Sequence, residues 1–124
     1  FKGRNLSTEY FLQGINDVSA ERLRQIEEEG HGTASDDNLS GGMLAAAGAC
    51  YGIHAAWSLV PSNNGQGISG IPAWWPLGSD DWKPADPRRN LVKAAALLIA
   101  EIDRIDRKEA KNETKNPEKD RCPP

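Results

Sequence analysis

The sequence predicts an all-α protein: a helical bundle of three principal helices with a long Trp/Pro-rich loop before the last, completed by oligomerisation. Three observations carry that reading. From Leu91 to Ile105, apolar residues recur at spacings of four and three, the helical period. Residues 41–59 form an Ala- and Gly-rich run without Asp, Glu, Lys or Arg. At 124 residues and 38% hydrophobic content, one domain is expected, with a core that is small or shared with a partner chain.

Residues 1–14, FKGRNLSTEYFLQG, lack periodicity and a long apolar core, so they do not read as a secretory signal. They read as a leader or flexible arm, followed by a helical domain over 15–110. The first helix is expected from about 18 to 29. Asp17 or Ser19 can cap it, and Gly30 ends it. Val18, Leu23 and Ile26 give it a thin apolar stripe. Glu27, Glu28 and Glu29 cluster where the helix dipole is negative. They form a solvated acidic face, or else hold a metal or meet a basic partner. In the next segment, HGTASDDN, His31, Asp36 and Asp37 could donate to a metal, but their spacing matches no metal signature.

The second helix is expected over 41–59, with Ser40 as N-cap and Leu39 and Leu44 as a hydrophobic staple. Its length invites a transmembrane reading. Gly and Ala add little hydrophobicity and His54 lies mid-span, so a buried central helix of the bundle fits better. Tyr51 and His54 stand three residues apart on it. They either face a ligand pocket, or His54 is a core histidine satisfied by a backbone carbonyl.

From Pro61 to Ala85 runs PSNNGQGISGIPAWWPLGSDDWKPA. A structureless connection this long is uncommon in a compact domain. Trp74, Trp75 and Trp82 either close the open end of the bundle or form an aromatic surface for a base or a partner. The last helix is expected over 87–110. Asp86 caps it and Pro87 takes the first position, where a missing N–H costs nothing. Leu91, Ala95, Leu98, Ile102 and Ile105 form a seam for the core or a second chain. On that basis Leu98→Ala is expected to destabilise far more than Leu97→Ala. Arg88, Arg89 and Lys93 crowd the N-terminal turns, where the dipole is already positive. An anionic ligand would account for them; so would simple solvation. Residues 111–124 read as a disordered charged tail.

A net charge of −3 argues against bulk nucleic-acid binding and against anionic membranes. Cys50 in an apolar helix and Cys122 in the polar tail are not expected to pair, which suits a reducing cytoplasm, that of the host cell if the chain is phage-encoded.

The segments AERLRQIEEEG and NLVKAAALLIAEIDRIDR, with a helix between them, resemble small phage and prophage proteins related to the MazG-like all-α NTP pyrophosphohydrolases, over roughly 18 to 107. The resemblance implies a helical bundle, a dimer or tetramer, and magnesium-dependent cleavage of nucleoside triphosphates. The family's central helix carries two adjacent glutamates and a third three residues later. Its following helix carries a glutamate and, three residues on, an aspartate. Here the central helix opens SGGMLAAAG with no carboxylate, and the later pair falls on Asn90 and Lys93. Magnesium needs several oxygen ligands, so no metal cofactor and no catalytic residue is expected.

The expectation is a non-catalytic nucleotide-binding protein, one that could sequester a nucleotide or cyclic-nucleotide signal. Arg88, Arg89, Lys93, His54, Tyr51, Trp75 and Trp82 are its candidate ligand-binding residues, and a homodimer or higher oligomer its assembly. Two alternatives stand beside it. One is a magnesium-dependent hydrolase using Glu27, Glu28, Asp36 and Asp37. The other is a protein-binding module anchored by the Trp-rich loop.

Overall fold

The computed structural model describes residues 8–28 and 41–115, and among them every regular element is helical. Helix α1 spans Thr8–Glu28, α2 spans Met43–Leu59 and α3 spans Pro87–Lys115, with single 3-10 turns at Pro61–Asn63 and Ser79–Asp81. The three expected helices are present. The acidic-loop candidates His31, Asp36 and Asp37, and the capping candidate Ser40, lie outside the described residues, as does 116–124.

Two boundaries differ from expectation. Helix α1 starts at Thr8 rather than near Val18, so part of the expected leader is helical. Asp17 does not cap: it accepts a hydrogen bond from Gln13 one turn earlier and pairs with Arg88 at 2.8 Å. Helix α3 continues to Lys115, into the segment read as tail.

The start of α3 follows the sequence closely. The Asp86 carboxylate accepts the backbone N–H of Arg89, and its carbonyl accepts that of Asn90. Fully buried Asn90 then ties the incoming loop to the helix. Its amide oxygen accepts the N–H of Ala85 at 2.7 Å and its amide nitrogen donates to the Ala85 carbonyl at 3.0 Å.

Helix α3, not α2, occupies the centre, with α2 and α1 both packed on it. The α2–α3 contact is close because small residues line it. Ala47, Ala94 and Ala100 are buried, and a Cβ on Gly48 would stand 2.9 Å from the Ala94 carbonyl oxygen. Leu44, Tyr51 and Leu97 fill the remaining core, with Trp75, Leu77 and Trp82 packed over it.

The phase of α3 corrects the expected seam. Leu97 is 5% exposed and Leu98 44% exposed. The buried face runs through Asn90, Ala94, Leu97 and Glu101, while Leu91, Leu98, Ile102 and Ile105 turn outward. Both sets follow helical spacing. The inward set wins because its alanines let α2 approach, as bulkier residues would not.

The first turn of α2 is capped from elsewhere. Gly42 sits at the N-cap with φ +89°, a left-handed backbone suited to glycine, and offers no side chain. The carboxylate of Glu101 on α3 accepts the N–H of Ala45 at 2.9 Å, and Arg104 donates to its other oxygen. Burial pushes the Glu101 pKa up, but the Ala45 N–H and Arg104 outweigh it and hold it below its ordinary value. No helix among the described residues is long and apolar enough to cross a membrane.

Candidate functional site

Three of the seven candidates, Tyr51, Trp75 and Lys93, line one cleft between α1, α2, α3 and the Trp-rich loop. Tyr51, buried on α2, is its hub. The Tyr51 ring stacks on Trp82 at 4.7 Å between centroids and meets Trp75 edge-on at 5.5 Å. Its hydroxyl accepts the N–H of Lys83 at 2.9 Å and donates to the Asp81 carbonyl. One phenol thus fixes the loop on both sides of Trp82. The Trp75 indole N–H donates to the Gly78 carbonyl, closing the turn between the two tryptophans.

His54, one turn further along α2, packs edge-on against Trp82. Its Nδ1 accepts the N–H of Ile68 at 3.0 Å, and burial holds its pKa below the ordinary value. It is therefore neutral and satisfied by a backbone N–H, where a carbonyl was expected. Gly67 permits this: any Cβ there would stand about 2.4 Å from the ring. His54 supports the loop from behind the cleft.

The cations of α3 divide. Lys93 donates to the Lys83 carbonyl, and its ammonium lies 5.3 Å from the centre of the Tyr51 ring, at the cleft. Arg89 pairs with Glu21 of α1, and Arg88 with Asp17. Arg88 lies apart from the cleft, beside a separate groove. Pairing with α1 carboxylates is a third reason for cations at a positive helix end, one the sequence alone did not suggest.

Glu21 forms the floor and was missed by sequence reasoning. Its side chain is fully buried, yet Arg24 grips both carboxylate oxygens at 2.9 and 2.7 Å, Arg89 donates to one and Gln25 to the other. Burial raises its pKa, but the hydrogen bond from Arg24 and the charges of Arg89 and Arg24 prevail, so it stays ionised at neutral pH. Gln25, also missed, is buried beside it, and its amide oxygen has no hydrogen-bond partner. A glutamate four residues before a glutamine was the only available signal, and it reads equally well as ordinary helix surface.

The cleft is about 30 Å³, room for one or two waters or a single small polar group. Arg24, Lys83 and Lys93 line it against Glu21 and Asp81, with Arg89 behind Glu21, so cations exceed carboxylates. Among the described residues, no group of three or more His, Cys, Asp or Glu could hold a metal ion. Glu27 and Glu28 are exposed at the end of α1. Of the loop tryptophans, Trp74 alone points outward, 74% exposed. Cys50 is buried as a free thiol.

No family model, curated protein or solved structure matches this chain.

Proposed function

We propose that this chain is a non-catalytic binding protein for a nucleotide or a closely related phosphate-bearing molecule, held at the Tyr51–Trp75–Lys93 cleft and released unchanged. The observation that carries the reading is the excess of cations at a small cleft walled by aromatic rings. One phosphate oxygen set meets Lys93, Lys83 and Arg24 without a bridging metal, through charge-assisted hydrogen bonds. The cleft holds only that group, so the base lies on the open rim against Trp75 and Leu77. Sequestering a nucleotide or cyclic-nucleotide signal suits a protein that binds without cutting. The MazG-like resemblance supports the nucleotide class, with Asn90 spent on the loop instead of on a metal.

Calorimetric titration with ATP, ADP-ribose and a cyclic dinucleotide, each with and without EDTA, tests this. Binding of at least one is expected to survive EDTA, to vanish in Lys93→Glu and to weaken by roughly 1–3 kcal/mol in Trp75→Ala. Binding abolished by EDTA, with pyrophosphate released in magnesium, would restore the hydrolase. Equal affinity in Lys93→Glu would remove the site.

A second reading has its own observation. Trp74 stands outside the core beside an apolar hollow of about 150 Å³ lined by Ile53, Ile68 and Pro72. An exposed tryptophan next to a hollow is the usual anchor of a protein-binding module. Under that reading no nucleotide binds, and Trp74→Ala abolishes partner capture.

A further inference from the structure

The Trp-rich loop is held to the helices at few points. From Gly67 to Trp74 it makes, among the described residues, one hydrogen bond to a helix: the N–H of Ile68 donates to Nδ1 of His54 on α2 at 3.0 Å. From Trp75 onward the loop is tied by its own turns and by Tyr51. Because Nδ1 accepts, the single proton of the neutral His54 ring sits on Nε2. Gly67 crosses the ring so closely that no β-carbon would fit, and Trp82 meets it at 85°. A turn of the ring in place therefore drives it into the loop backbone.

We propose that His54 is a proton-operated latch: protonation at Nδ1 turns an acceptor into a donor, and residues 67–74 part from α2. With the second proton in place, Nδ1–H and the Ile68 N–H point at each other across 3.0 Å with no acceptor between them. The loop gives way rather than the helix, because α2 is held by its own hydrogen-bond ladder and by its packing on α3. A segment with one bond to the rest of the fold opens locally, without global unfolding.

The surroundings of the ring offer an added charge no counter-ion. Residues 41–79, which comprise α2 and the part of the loop packed on His54, contain no Asp, Glu, Lys or Arg. Trp82, the remaining wall, is flanked by Asp81 and Lys83, which both line the cleft on the Tyr51 side, and Asp80 is exposed. Lys93 on α3 lies against the Tyr51 ring, and its charge repels an imidazolium. Burial alone acts on the His54 pKa, downward. Freed from the loop, the ring regains its ordinary value of 6.5, so opening gains up to about tenfold per pH unit below that value, until the lowered one is passed. Trp75 follows directly on the released segment and lines the cleft, so ligand affinity falls as the latch opens. That last step rests on the reading of the cleft as a nucleotide site; the latch itself does not.

Amide hydrogen exchange of the intact chain from about pH 7.5 to about pH 5, read by NMR and corrected for intrinsic rates, tests the latch. Protection of Ile68 is expected to fall by up to about tenfold per pH unit below 6.5, while Ala96, buried in α3, stays protected. In His54→Asn the amide oxygen takes the place of Nδ1 and does not titrate, so Ile68 protection should not change with pH. Constant protection in the wild type overturns the inference. So does an equal fall in His54→Asn, or a loss at Ala96 that keeps pace with Ile68, which is global unfolding. Should His54→Asn lose its helical circular dichroism, the wild-type ring decides. A common midpoint for the His54 ring protons and the Ile68 amide shift supports the latch, and separate midpoints overturn it. Calorimetric titration with ATP at both ends of the range separates the two readings. Affinity that falls with pH in the wild type but not in His54→Asn supports both, and constant affinity overturns the coupling to the cleft. Absence of ATP binding at either pH strikes the nucleotide reading alone, and the exchange data still decide the latch.

Discussion

At the scale of single residues, Glu21 ties α1 to α3. It is a buried carboxylate shared by arginines from two helices, and removing its charge takes away the counter-charge that Arg24 and Arg89 share. Glu21→Gln is expected to cost about 3 kcal/mol, read as a lower denaturant midpoint in chemical unfolding. The same pairing sets a pH dependence. Glu21 and Glu101 are held below their ordinary value of 4.5, so their contribution is complete above that pH and is lost as the pH falls through their lowered values. His54 is held below 6.5 with the same sign: burial of its neutral ring stabilises above that pH, and protonation removes it. Melting temperatures should therefore decline in two stages on acidification. Glu21→Gln should blunt the lower stage, and an unchanged lower stage would deny Glu21 its role. The basic turn at Arg88, Arg89 and Lys93 was visible in the sequence, but its partners were not. Arg89 and Glu21 are 68 residues apart, and no local rule connects them.

At the scale of elements, α3 shows what periodicity can and cannot decide. The spacing located the helix, and Asp86 and Pro87 placed its start. The phase was illegible because apolar residues surround the helix, so two faces satisfy the same rule. Alanine content was the usable clue: Ala94 and Ala100 allow close approach, whereas Leu98 and Ile102 would hold α2 away. Leu97→Ala is expected to cost about 2–5 kcal/mol. Leu98→Ala should cost under about 1 kcal/mol when both are unfolded in urea. Equal losses would return Leu98 to the core. Gly48→Val forces a side chain into the Ala94 carbonyl and should cost about 1–3 kcal/mol through overpacking. Thermal melts of this variant beside Gly52→Val, whose site has more space, isolate the close approach. The Trp-rich loop was legible only as an alternative between lid and surface. The structure divides it: Trp75 and Trp82 are spent on Tyr51, and Trp74 faces out.

At the scale of the whole molecule, the fold class was readable because three helices each carried their own signals. The cleft was half readable, since residue types could be named but not which cations would be drawn off into ion pairs. Helix α2 adds a further property of the whole chain. It carries no charged residue and no side-chain cap, and the group that satisfies its first turn is Glu101, 56 positions downstream. During synthesis, α2 therefore leaves the ribosome as an apolar segment whose opening turn is unfinished until most of α3 has followed it. A chain halted between Leu59 and Glu101 exposes that segment to whatever is nearby. The interval between the two helices is thus the stretch of synthesis in which that turn waits for its acceptor.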